Sequence, residues 1–256
     1  MKEKNLAIGF FDSGLGGLSV LKEALKILPD EKYIYFGDSI NAPYGNKPVR
    51  EVFNLTRKNI SFLLEKGIKA LVIACNTATS VAIEDLRNEL DLPVIGMEPA
   101  IKPAANSKKN GRILLLATEM TLKEDKLKNL IGNLDLDDDI IKVPAPQLVT
   151  LIENGKFSRQ KAIPILQNYL NNYDFKQIDS VVLGCTHFVF YREIIAELVD
   201  QDTRVIDGNK GTVRHLKNRL EELGLVRIDP INGKHIDFYN SDSNIDEEIQ
   251  RQFLKI

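Results

Sequence analysis

The chain has 256 residues, 43% hydrophobic and 27% charged, with 34 Lys and Arg against 36 Asp and Glu for a net charge of −2. Roughly 150 residues per domain gives one large domain or two small ones, and the near-neutral balance excludes a global basic field for nucleic acid or a membrane surface. Only two cysteines are present, Cys75 and Cys185, which excludes a disulfide-rich scaffold and a four-cysteine zinc site. From the N-terminus, the apolar run at 6–11 reads as a buried strand, 12–17 as a glycine-rich loop and 18–28 as a helix stopped by Pro29. A strand is expected at 33–36, a loop rich in Asn, Pro and Gly at 39–48, and a long helix at 49–66 closed by Gly67. The run ALVIA at 70–74 is a third strand, followed by a helix to Leu90 and a strand at 93–96. The same rhythm predicts strands at 112–117, 140–143, 180–184, 204–206 and 236–239. Helices are expected at 121–131, 148–154, 158–171, from 188 to about 199, and at 212–223 and 246–253, with the acidic run 135–139 as a solvated loop. Continuous apolar strands alternating with helices mean an α/β fold with mostly parallel sheets covered on both faces.

No apolar stretch approaches the roughly 20 residues that span a bilayer. The charged start leads into an apolar run too short for a signal-peptide core. The expected location is therefore cytoplasmic, where reduced thiols are the default. The two free thiols are then either buried packing residues or chemistry.

One internal similarity bears on that choice. ALVIACNT at 70–77 and SVVLGCTH at 180–187 both read as a buried strand, a Cys, polar residues with Thr, and a helix, 110 positions apart. This hints at two related α/β halves. Both cysteines fall at the carboxyl ends of strands, where ligands bind in open α/β sheets. A helix start favours a thiolate there, and Asn76, Thr77, Thr186 and His187 are groups suited to an anion.

The first loop, Asp12-Ser13-Gly14-Leu15-Gly16-Gly17, has the same placement. It lacks the Gly-Lys-Ser/Thr of a P-loop, and Ser19 stands where the dinucleotide fingerprint needs its third glycine. Asp12 either caps the following helix or is placed to move a proton. His187, two positions from Cys185, either satisfies a local contact or pairs with the thiol. Cys75, Cys185 and His187 lack the close spacing of a zinc motif, so no metal is expected. Glu153, by pattern, is a surface acid at a helix end.

The ordered set of motifs resembles the glutamate racemases of the aspartate/glutamate racemase superfamily. The carriers are FDSGLGGLSVL at 11–21, GDSINAPYGNK at 37–47, ACNTAT at 74–79 and GCTHF at 184–188, with support from VIGMEPAIKPA at 94–104 and LIENG at 151–155. The resemblance covers nearly the whole chain. It implies two doubly wound α/β domains related by pseudo-two-fold symmetry, with the active site in the cleft between them. Mapped here, these are 1–98 with 208–256, carrying Asp12 and Cys75, and 99–207, carrying Glu153, Cys185 and His187.

The resemblance also implies a cofactor-independent enzyme that interconverts L- and D-glutamate and supplies D-glutamate for peptidoglycan, working as a homodimer. Cys75 and Cys185 would be the two acid/bases, one for each face of Cα. Asp12 would assist Cys75, while Glu153 and His187 would assist Cys185. The implied substrate contacts are Asp12, Ser13, Tyr44, Gly45, Asn76, Thr77, Thr186 and His187. The sequence departs from the usual pattern at Val189-Phe190, at Glu124 and Lys126, and at VIDGN over 205–209, all flanking the second half of the site. An aspartate racemase or a related racemase of the superfamily is the nearest alternative, and a non-catalytic α/β module binding a small ligand is the alternative from another class.

Overall fold

The computed structural model describes residues 3–155, 157–229 and 233–255. The chain begins with β1 (Ala7–Asp12), α1 (Leu18–Ile27), β2 (Lys32–Gly37), α2 (Val49–Glu65), β3 (Ile68–Ile73), α3 (Asn76–Glu89) and β4 (Val94–Gly96). It passes through α4 (Ile101–Asn106) to β5 (Arg112–Ala117), α5 (Glu119–Lys123), α6 (Asp125–Gly132), β6 (Ile140–Pro144), α7 (Pro146–Glu153), α8 (Arg159–Leu170), β7 (Ile178–Leu183), α9 (Arg192–Leu198) and β8 (Arg204–Asp207). It returns through α10 (Asn209–Glu222), β9 (His235–Asn240) and α11 (Glu247–Phe253). Among the described residues no helix is long and apolar enough to cross a membrane.

These strands form two sheets with every pairing parallel, ordered β4-β3-β1-β2-β9 and β6-β5-β7-β8. The core strands β1, β3, β5 and β7 are apolar runs buried on both faces, as parallel strands covered by helices must be. Setting β9 aside, the two orders are the same: β2-β1-β3-β4 corresponds to β6-β5-β7-β8. The correspondence extends to detail, because β1–β3 and β5–β7 each carry a register shift at the first residue pair. Cys75 follows β3 and Cys185 follows β7, the equivalent strand in the other sheet.

The halves share apolar packing. The largest core cluster runs from Ile8 and Phe10 of the first sheet to Leu114, Leu116 and Leu183 of the second, and takes in Leu21 of α1 with Ile194 of α9 and Leu216 of α10. Each half also has a cluster of its own, around Leu71 and Ile73 in the first and around Ile113 and Leu115 in the second.

Three local departures from the sequence expectations have physical reasons. The helix expected at 121–131 is two helices, broken at Glu124, whose backbone is extended (φ −64°, ψ 136°). Helix α5 serves both cores, Met120 joining that of the first half and Leu122 that of the second, where Leu127 and Ile131 of α6 also pack. The segment after Cys185 starts as a 3-10 helix, Thr186–Tyr191, before α9 begins. Helix α4 was not among the expected elements; its Pro103 sits in the first turn, where a missing N–H costs no helical bond.

Candidate active site

The strand ends carry the candidate residues. Asp12 is the last residue of β1 and fully buried. Its Oδ1 accepts from the Gly14 N–H at 3.0 Å, and its Oδ2 accepts from the Thr186 hydroxyl of the other half at 3.1 Å. It does not cap α1, whose N-cap position is Gly17. Burial pushes the Asp12 carboxyl above its usual range and the Glu153 charge adds to the rise, against the pull of His187 and the Gly17 and Gly14 N–H groups.

Cys75 is the N-cap of α3. Its sulfur accepts from the Ala78 N–H at 3.5 Å and lies 3.4 Å from Ser13 Oγ. Burial pushes this thiol up to about 12, and the nearby Asp12 charge adds to the shift, while the contacts with Ser13 and Ala78 oppose it. A helix start alone therefore does not ionise Cys75, because desolvation outweighs the local dipole.

Cys185 stands in a different setting. It opens the 3-10 turn, with no capping bond from its side chain. Its sulfur is 3.6 Å from His187 Nδ1, and His187 Nε2 is 2.5 Å from Glu153 Oε1. Burial alone would lower the His187 titration, but the hydrogen bonds to Cys185 and Glu153, with their charges, hold it well above the usual imidazole range. Both cysteines are buried and unbonded.

The two halves meet on this line. Glu153, at the end of α7, also accepts from the Leu15 N–H of the first loop at 2.7 Å. A Cβ at Gly14 would overlap the Glu153 carboxyl, and one at Gly16 would overlap His187 and Thr186. The loop glycines are thus spacers that admit the second half to the site, rather than a phosphate cradle.

The remaining candidates lie along the same seam. Thr77 Oγ1 is 3.0 Å from Thr118 Oγ1, which donates to Thr121 Oγ1 at 3.0 Å, so three buried hydroxyls link the two halves. Gly45 packs on Thr118, and Tyr44 is buried beside Phe11 with its hydroxyl bonded to Asp38. Asn76 Oδ1 and Glu153 Oε2 are buried without a hydrogen-bond partner among the described residues. Among those residues no cluster of His, Cys, Asp and Glu has the makings of a metal site.

Sequence reasoning did not assign roles to Thr118, Thr121, Ser19 or Asn209. Ser19 Oγ donates to the Thr186 carbonyl at 3.2 Å and accepts from Asn209 Nδ2 at 3.1 Å, which steadies the Cys185 loop from behind. The available signal for Ser19 was a hydroxyl on the buried face of α1.

The chain belongs to the Asp/Glu/hydantoin racemase family, which it matches over residues 24–216. Chains similar to it include glutamate racemases. The glutamate racemase of Clostridium botulinum (strain Loch Maree / Type A3) is 50% identical over 234 residues, 91% of each chain. The crystal structure of the Francisella tularensis glutamate racemase in complex with D-glutamate superposes with a TM-score of 0.83 at 28% identity, covering 99% of this chain and 95% of that one. The Escherichia coli glutamate racemase, solved in complex with L-glutamate and the activator UDP-MurNAc-ala, gives 0.82 at 31% identity, covering 98% and 94%.

Proposed function

We propose that this chain interconverts L- and D-glutamate by proton transfer at Cα between two thiols, Cys75 and Cys185, and so supplies D-glutamate for peptidoglycan. The observation that carries the reading is the pair of buried, unbonded cysteines at equivalent strand ends of two matching sheets. Racemisation removes the Cα proton from one face and returns a proton to the other. One thiolate takes the proton while the opposite thiol gives one up, so the pair ends each turnover with its protonation reversed.

Each thiol has its own assistance. Asp12, reached by Thr186 across the cleft, and Ser13 flank Cys75. His187, held by Glu153, exchanges a proton with Cys185 through Nδ1. The Asn76 Oδ1 atom without a partner suits the substrate ammonium group, and the Tyr44–Gly45 turn, Thr77 and Thr186 suit its carboxylates. Closure of the buried seam excludes water from the developing carbanion, which strengthens each of these hydrogen bonds.

The same reading assigns 1–98 with 208–256 and 99–207 as the two lobes of the cleft, a homodimer as the assembly, and the cytoplasm as the compartment. The strand order supports the lobes, since the chain leaves the first sheet after β4 and returns after β8. Incubation with L-glutamate in D₂O, without pyridoxal phosphate, tests the chemistry: deuterium enters Cα and D-glutamate accumulates. Absence of exchange in glutamate and in aspartate alike rejects every racemase reading, and a clear preference for D-aspartate over D-glutamate in steady-state rates replaces the substrate assigned here.

A further inference from the structure

One buried carboxyl group beside the site has no part in the scheme above. Asp38 lies just past β2, is 1% exposed, and its N–H donates to the Asp12 carbonyl at 3.0 Å. Its Oδ2 accepts from the Tyr44 hydroxyl at 2.6 Å, from Asn59 Nδ2 at 2.9 Å and from Asn41 Nδ2 at 3.1 Å, while Oδ1 accepts from Asn41 at 2.9 Å. These donors are uncharged. Enclosing a carboxyl group among neutral donors is an expensive way to fill space, and an apolar side chain of similar volume often serves stability as well. Asn59 reaches it from α2, where it interrupts a buried stripe of Val52, Thr56, Ile60 and Leu63.

The network consumes the Tyr44 hydroxyl. That group donates to Asp38 and takes a weaker bond from Asn59 at 3.3 Å. Burial, then the bond to Asp38, holds the phenol well above its ordinary range, so it stays a donor and stays turned into its own half. What the 3-10 turn Tyr44–Asn46 offers the cleft is therefore its main chain, packed so closely that a Cβ on Gly45 would fall 2.6 Å from the Thr118 Cβ. A three-residue 3-10 turn has weak internal bonds, and Thr118 supports it only while the halves are together.

We propose that Asp38 is a positioning residue for glutamate: with Asn59 it fixes the Tyr44–Asn46 turn in its binding shape before the halves close on the substrate. The proposal rests on the reading above that this turn contacts substrate. Asp38 touches neither thiol, so its loss weakens binding and spares the proton transfers.

The test uses the full chain, with calorimetric Kd for D-glutamate read beside KM and kcat. Asp38→Ala raises Kd and KM by about tenfold or more and leaves kcat within about threefold, the pattern of lost pre-organisation. Asp38→Asn, which keeps one acceptor oxygen, recovers part of the loss. Adding Tyr44→Phe to Asp38→Ala changes Kd by less than about twofold, because the pair acts as one unit. An unchanged Kd in Asp38→Ala, a loss confined to kcat, or independent multiplication of the two effects overturns the proposal. Should Asp38→Ala not fold, Asp38→Asn and Asn59→Ala each weaken Kd by about threefold, and an unchanged Kd in both overturns it equally. A wild-type chain that binds glutamate without exchanging its Cα proton overturns the racemase reading, and the Kd comparison still decides the role of Asp38.

Discussion

Cys75 and Cys185 occupy equivalent positions at the ends of β3 and β7, yet their surroundings diverge. Cys75 caps a full α-helix and meets a hydroxyl and a main-chain N–H. Cys185 opens a 3-10 turn and meets an imidazole backed by a carboxylate. The strand fixes where each sulfur stands, and the side chain brought against it differs, Ser13 of the first loop at Cys75 and His187 of its own turn at Cys185. Position is thus a property of the repeated sheet, while the groups that face each sulfur are not repeated.

The strongest way to break this comparison is to remove one sulfur at a time. In the proposed scheme Cys75→Ala and Cys185→Ala each lower turnover at least about 10³-fold in both directions, since each thiol is the base for one enantiomer and the acid for the other. Polarimetric assay checks this, and near-wild-type turnover in either variant ends the two-thiol scheme. Next in size is Gly16→Ala. A Cβ there overlaps Thr186 and His187, so the Cys185 loop must move, and kcat/KM falls by about 10²-fold. A fall below about threefold would mean that the loop tolerates displacement.

The differences between the loops can be sharpened by titration. Glu153→Gln removes the charge that raises His187 and leaves it a neutral acceptor at most, so the imidazole titration followed by NMR moves down toward its ordinary range. No movement would detach Glu153 from the Cys185 side. The smallest effect concerns stability. The folded Cys75 thiol is raised from 9.0 to about 12, so its contribution is fully present below the unfolded value and is lost as pH rises toward the folded one. The melting midpoint should therefore fall less steeply between about pH 9 and pH 11 in Cys75→Ser than in wild type. Equal slopes would show that the thiol ionises as readily folded as unfolded.

Much of this architecture was legible in the sequence because buried parallel strands are uninterrupted apolar runs. Runs such as ALVIA and RILLLA located β3 and β5 within two residues. The thiol loops were legible because a cysteine followed by polar residues breaks such a run. Glu153 was visible only through resemblance: nothing in LIENG says that the last turn of α7 points at a loop 138 residues away. The break at Glu124 was hidden because a single extended residue does not interrupt the apolar stripe that periodicity reports. Asp38 and Asn59 were out of reach because their partnership depends on how β2 and α2 pack.

The shared strand order has a consequence for the geometry of the reaction itself. A carbanion at Cα is flat, and a half-turn about a line in its plane exchanges its two faces. Two identical half-length chains related by such a rotation would offer that carbon the same side chain from above and below. In the proposed scheme, joining the halves in one polypeptide keeps one sulfur per face and frees the neighbouring positions to differ. The departures from symmetry, Asp12 with Ser13 on one side and Glu153 with His187 on the other, can then seat the parts of an amino acid that no rotation interchanges.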